Sequence, residues 1–144
     1  MRPGSGLLLA LLLAACAPNL PPDSPSVWGL SYTAVEVVPG SLGGGQYRAL
    51  ASRDTVRIER DAVTTFRVGH ELAHVWQKRH YLMPAAFLGA SCSRQPAWNC
   101  TPTEAHADAV GEAAVLASCG PGDFGWPGGE VTGCALPNPL EVHP

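Results

Sequence analysis

Thr55-Val56-Arg57-Ile58-Glu59-Arg60 and, after four intervening residues, Thr65-Phe66-Arg67-Val68-Gly69-His70-Glu71-Leu72-Ala73-His74-Val75-Trp76-Gln77-Lys78-Arg79-His80 decide the fold. The first stretch alternates. Val56 and Ile58 point to one face, Arg57 and Glu59 to the other, which predicts a half-buried strand. Its outward charges suit a sheet edge, where they discourage pairing with other chains. The second stretch reads as a helix. Thr64 or Thr65 is its N-cap, Lys78 and Arg79 place positive charge in its last turns, and it runs to about Tyr81, with Pro84 marking the stop. A strand leading directly into a helix of this length predicts mixed α and β structure.

Working outward, Ala34-Val35-Glu36-Val37-Val38 is a second strand, stopped by Pro39-Gly40, and Tyr47 to Leu50 a third. The Gly-rich stretch from Ser41 to Gly45 lacks a P-loop lysine and a following helix, so it reads as a turn. Beyond a loop over 89–100, Thr101-Pro102-Thr103-Glu104 writes a helix start, with Thr101 as N-cap and Pro102 in the first turn. Ala105 to Ser118 continue that helix, and Cys119-Gly120-Pro121 end it. The Gly- and Pro-rich tail is irregular. The expected fold class is α+β: a small, twisted antiparallel or mixed sheet packed on the first helix, with a second helix closing over it.

The chain has 144 residues and a formal charge of −3. That length suits one domain, and the absence of any Lys/Arg run argues against nucleic acid as a partner. Residues 1–15 read as a secretory leader: Arg2, then an apolar run from Leu7 to Leu13, too short to span a bilayer. Leu13-Ala14-Ala15-Cys16 resembles the bacterial lipobox, which implies lipid on Cys16 and a tether to a cell or outer membrane; the rival is an ordinary signal peptide cut near Ala17. Residues 16–30, with Pro18, Pro21, Pro22 and Pro25, read as an extended spacer. The domain proper is then 31–144. With Cys16 lipidated, Cys92, Cys100, Cys119 and Cys134 remain, an even number in an exported chain. Three pairings are open. Cys92–Cys100 and Cys119–Cys134 are favoured because each closes a short loop rich in turn formers. No Cys-x-x-Cys spacing supports a cysteine metal site.

His70-Glu71-Leu72-Ala73-His74 matches H-E-x-x-H. Residues four apart on a helix lie about 40° apart around its axis, so both imidazoles project side by side and can share one ion. Glu71, displaced around the helix, can reach water at that ion without ligating it and so act as general base and acid. The cofactor implied is one Zn²⁺, with three protein ligands and an open position. Glu104 is the preferred third ligand. Asp108, one turn later on the same face, is placed to accept a hydrogen bond from a ligating imidazole.

His70-Glu71-x-x-His74 followed by Glu104-x-x-x-Asp108 resembles the gluzincin type of zincin-like metallopeptidases over roughly residues 50–118, and Val75-Trp76-Gln77 is similar to small bacterial zincin-like domains. The resemblance implies zinc-dependent peptide hydrolysis of a peptide or protein substrate in the cell envelope, with an edge strand before the zinc helix, here 55–60, pairing with the peptide backbone. His80 is the alternative third ligand, at the metzincin offset. However, Gln77 replaces the turning glycine, Met83 comes too soon for a Met-turn, and a continuing helix would point His80 away. His106 is a further alternative. Tyr81, His106 and His143 are candidates for stabilising an oxyanion. Trp28, Trp76, Trp98 and Trp126 read as core or loop anchors. The rival function is an envelope lipoprotein that binds zinc or a partner and cleaves nothing.

Overall fold

The computed structural model describes residues 23–80 and 91–144. The leader, Cys16, Tyr81, Met83 and Pro84 lie outside the described residues. Among the described residues the architecture is α+β: a two-stranded hairpin, a three-stranded mixed sheet and two α-helices. The strands are β1 (Ser26–Val27), β2 (Leu30–Ser31), β3 (Thr33–Val37), β4 (Ala49–Ala51) and β5 (Thr55–Glu59); the helices are α1 (Thr65–His80) and α2 (Pro102–Leu116).

The alternating stretch is β5, with Val56 and Ile58 fully buried beneath α1. It is not an edge. The order is β3-β5-β4, with β5 parallel to β3 and antiparallel to β4. The chain leaves β3, forms the outer strand β4, and returns between the two. Glu59 keeps its outward parity but is buried, because Arg48 pairs with its carboxylate and the Gly40 N–H donates to it. The edge beside α1 is therefore β4. Its register, with Glu59 N–H donating to Arg48 O and Ser52 N–H to Thr55 O, turns the peptide groups of Ala49 and Ala51 away from β5. Lys78 Nζ donates to Ala51 O on that open side.

Residues 26–30, read from composition as the end of the spacer, are folded. Trp28 and Gly29 take left-handed backbone (φ +52° and +72°) in the two-residue turn between β1 and β2, the geometry that matches strand twist. Val27 and Leu30 enter the core. The Trp28 indole donates to Pro137 O and meets Phe124 edge-on.

The two helices approach closely because glycines face the contact. A Cβ on Gly69 would lie 3.4 Å from Gly111 Cα, and one on Gly111 would lie 2.8 Å from both the carbonyl oxygen and the ring of Phe66. Any side chain at 111 must push α2 off α1. Gly111→Val is expected to lower stability by about 3 kcal/mol, from overpacking against backbone, with weaker metal binding as α2 shifts. An unchanged melting temperature would contradict this packing.

Thr64 is the N-cap of α1, its Oγ1 accepting from Arg67 N–H; Thr101 caps α2 through Glu104 N–H. Both favoured disulfides are present, Cys92–Cys100 and Cys119–Cys134, which suits an oxidising, extracellular environment. Among the described residues no helix is long and apolar enough to cross a membrane. After α2 the tail is irregular but fixed. Asp123 accepts from Gly120, Thr132 and Gly133, which holds its carboxyl well below the usual range, while Phe124 and Trp126 fill the core. Trp76 is buried too, whereas Trp98 is exposed.

Candidate metal centre

His70 and His74 rise from the middle of α1, one turn apart, with ring centroids 4.8 Å apart. The two ring planes stand at 82° to each other, and their Nε2 atoms are 3.1 Å apart. Glu104, in the first turn of α2, reaches both: Oε2 is 3.2 Å from His70 Nε2 and Oε1 is 3.3 Å from His74 Nε2. Two nitrogens and a carboxylate thus converge on one point, and this group can hold a metal ion. The glycine contact between the helices sets the spacing, and the capped start of α2 aims Glu104 inward.

Asp108, one turn beyond Glu104, is buried, with Oδ1 3.0 Å from His70 Nδ1. The two atoms are close without meeting in hydrogen-bond geometry, and among the described residues neither has a hydrogen-bond partner. Its other oxygen accepts from Arg94 N–H at 2.8 Å. A carboxylate against Nδ1 leaves Nε2 to face the ion. Burial disfavours charge on His70, but Asp108, Glu104 and Glu71 outweigh it and raise its pKa to about 9. Burial likewise opposes the Glu104 and Asp108 carboxylates, yet their imidazole contacts hold both below the usual range.

A ligating imidazole must surrender its proton. Without metal, His70 stays cationic up to about pH 9. A metal ion bound there would have to displace that proton at neutral pH, so apparent affinity for added divalent metal is expected to rise about tenfold per pH unit between 7 and 9 and then level off. Competition with a chelator across that range checks it; a flat profile would contradict the proton count.

Glu71 is 8 % exposed and lines the same cavity, of about 670 Å³, as the three cluster residues. Burial raises its pKa, opposed by His70 and His74. The cavity's outer wall is the open side of β4 (Ala49, Leu50, Ala51) with Tyr47; its far wall carries Gln95 and Asn99 from the loop closed by Cys92–Cys100.

Several expected residues lie elsewhere. His80 turns away, its ring stacked on Trp76 and its Nδ1 2.9 Å from Trp76 O, because the chain is still helical at that position. His106 is fully buried behind Gln77 and neither ligates nor faces the cavity. His143 lines a separate cavity on the other side of Asp108. The residue that sequence reasoning missed is Gln77. Its Oε1 lies 2.9 Å from His74 Nδ1, and its Nε2 donates to Thr103 O at 3.0 Å and faces His106 Nδ1 at 2.9 Å. Tyr47 was read as part of a strand, yet it supplies the aromatic wall nearest β4. A Cβ on Gly43 would fall 2.5 Å from its ring, so only glycine fits beneath it.

Fold and cluster together define a small, disulfide-bonded α+β protein with a His₂Glu group able to hold a metal ion. No protein-family model matches the chain, nor does any curated protein or solved structure.

Proposed function

We propose that this chain is a zinc-dependent peptidase, exported and held at a bacterial envelope by lipid on Cys16. The observation that carries the reading is the convergence of His70 Nε2, His74 Nε2 and the Glu104 carboxylate within 3.3 Å of one another, with Glu71 in the same cavity. Two imidazoles, one carboxylate and an open side form the donor set of a catalytic zinc rather than of calcium or magnesium, which take oxygen. The likeness of this arrangement to gluzincin-type metallopeptidases supports the same reading.

Bound zinc would polarise the scissile carbonyl and acidify water. The chain's own residues do the rest. Glu71 takes the proton of the attacking water and returns it to the leaving amine. Ala49 and Ala51 offer main-chain groups to an extended peptide, with Lys78 yielding Ala51 O to it. Such pairing reads backbone rather than side chains, which fits an unfolded segment of an envelope protein. His70 and His74 hold the ion, and Asp108 orients the first of them.

The test is incubation of the purified full chain with an unfolded protein, before and after chelation and again after zinc is restored. Cleavage that follows zinc occupancy supports the proposal. Stoichiometric zinc with no cleavage would leave a zinc-binding envelope lipoprotein, and no zinc would leave a partner-binding one.

A further inference from the structure

We infer that Gln77 and His106 are positioning residues of the metal site, and that the carbonyl of Pro139, in the C-terminal tail, acts through them to set which nitrogen of His74 faces the ion. The inference rests on the cluster being a zinc site, but not on peptide hydrolysis.

Two backbone carbonyls fix every hydrogen in the chain of contacts. Thr103 O can only accept, so the Gln77 atom 3.0 Å from it is the amide nitrogen. The other amide atom, facing His74 Nδ1 at 2.9 Å, is then the oxygen, which also can only accept. His74 must therefore carry a hydrogen on Nδ1, which leaves Nε2 as the nitrogen that faces Glu104 and His70 and can be bared for a metal ion. The second hydrogen of the Gln77 amide points at His106 Nδ1, 2.9 Å away, so that nitrogen must be bare. His106 then carries its hydrogen on Nε2, 2.7 Å from Pro139 O, a second atom that only accepts. Turning the amide over would set oxygen against the Thr103 carbonyl, and turning His106 to its other tautomer would set two hydrogens against each other at Gln77 and leave Pro139 O facing a lone pair. A single arrangement satisfies all of these contacts, and it makes His74 Nε2 a ligand.

The tail that supplies Pro139 is itself held. Trp28 donates to Pro137 O, and Val142 packs against Ala73, Ala107 and Val110. His106 is fully buried between that tail and Gln77, so no water competes for its nitrogens. The tail is thus the back wall of the metal site, tied to it by hydrogen bonds from residues 33 positions apart in sequence.

Long-range ¹H–¹⁵N NMR spectra of the full chain labelled at histidine read each ring's tautomer directly. Expected are His74 as the Nδ1–H form and His106 as the Nε2–H form, both before and after one equivalent of Zn²⁺. In Gln77→Glu the acceptor for His74 remains while both donors are lost, so His74 is expected to keep its Nδ1–H, and His106, now facing an acceptor at each nitrogen, to keep Nε2–H and take up a second hydrogen on Nδ1. In His106→Phe the amide loses one anchor, and zinc affinity is expected to fall by about tenfold or more. His74 as Nε2–H or His106 as Nδ1–H in the unaltered chain overturns the inference, as does a His106 Nδ1 that stays bare in a folded Gln77→Glu. Should a variant not fold, the spectra of the unaltered chain decide. The expected tautomers without zinc binding would leave the hydrogen-bond chain standing but sink its metal-positioning role along with the zinc reading, and zinc binding without cleavage would sink only the peptidase reading.

Discussion

Glu71→Gln is expected to bind zinc as the unaltered chain does and to cleave substrate about a hundred- to ten-thousand-fold more slowly, the usual contribution of a positioned general base. The two halves of that result come from different geometry. Zinc is retained because the cluster is His70, His74 and Glu104, and Glu71 is not among them. Activity is lost because an amide has the shape of the carboxylate but cannot accept the proton. Glu71 is nearly buried, and burial raises its pKa while the neighbouring imidazoles oppose the rise. A carboxylate placed so is easier to protonate than one in water, and its proton is then available to the departing amine. Zinc content and turnover measured on the same preparation check both halves. Equal turnover in the variant would remove Glu71 from the chemistry.

Glu104→Ala is expected to weaken zinc binding by about a hundredfold or more, since each ligand of a four-coordinate site carries roughly 3 kcal/mol of the binding free energy. Among the described residues Glu104 is the sole carboxylate facing both Nε2 atoms, and it comes from a different helix than they do. Its loss also changes the metal-free protein. The raised pKa of His70, about 9, means that its pairing with Asp108 and Glu104 stabilises the fold fully below the ordinary histidine pKa and fades as pH rises through 9. The metal-free variant should therefore melt below the metal-free parent at pH 6 to 7, with the gap closing above pH 9. Unaltered zinc affinity, measured against a chelator, would assign the third ligand elsewhere.

What could be read in the sequence was local. Helical spacing alone puts His70 and His74 on one face, and the Thr101-Pro102 start with Glu104 and Asp108 one turn apart fixes how α2 presents its acids. The alternation of Val56 and Ile58 gives a buried strand face wherever that strand sits in a sheet. Strand order was not readable, because it depends on β4 folding back outside β5, and the alternation of 55–60 is equally compatible with edge and centre. The hairpin at 26–31 was hidden by the prolines just before it, Pro21, Pro22 and Pro25, and by a turn whose first left-handed residue is Trp28, a side chain that rarely takes that backbone. Gln77 carried a signal only as the residue standing where a metzincin has glycine. Its role depends on Thr103 and His106, which arrive from another helix, and on a tail carbonyl that no periodicity marks. His80 turns away for the reason the spacing suggested, since α1 is still helical where it stands.

X-ray absorption at the zinc edge on the purified chain tests the central claim most directly. The account predicts one zinc per chain with only nitrogen and oxygen neighbours at about 2.0–2.1 Å, two of them showing the outer-shell pattern of imidazole, and loss of one imidazole in His74→Ala. Sulfur neighbours at about 2.3 Å, or a chain that holds no zinc, would contradict it.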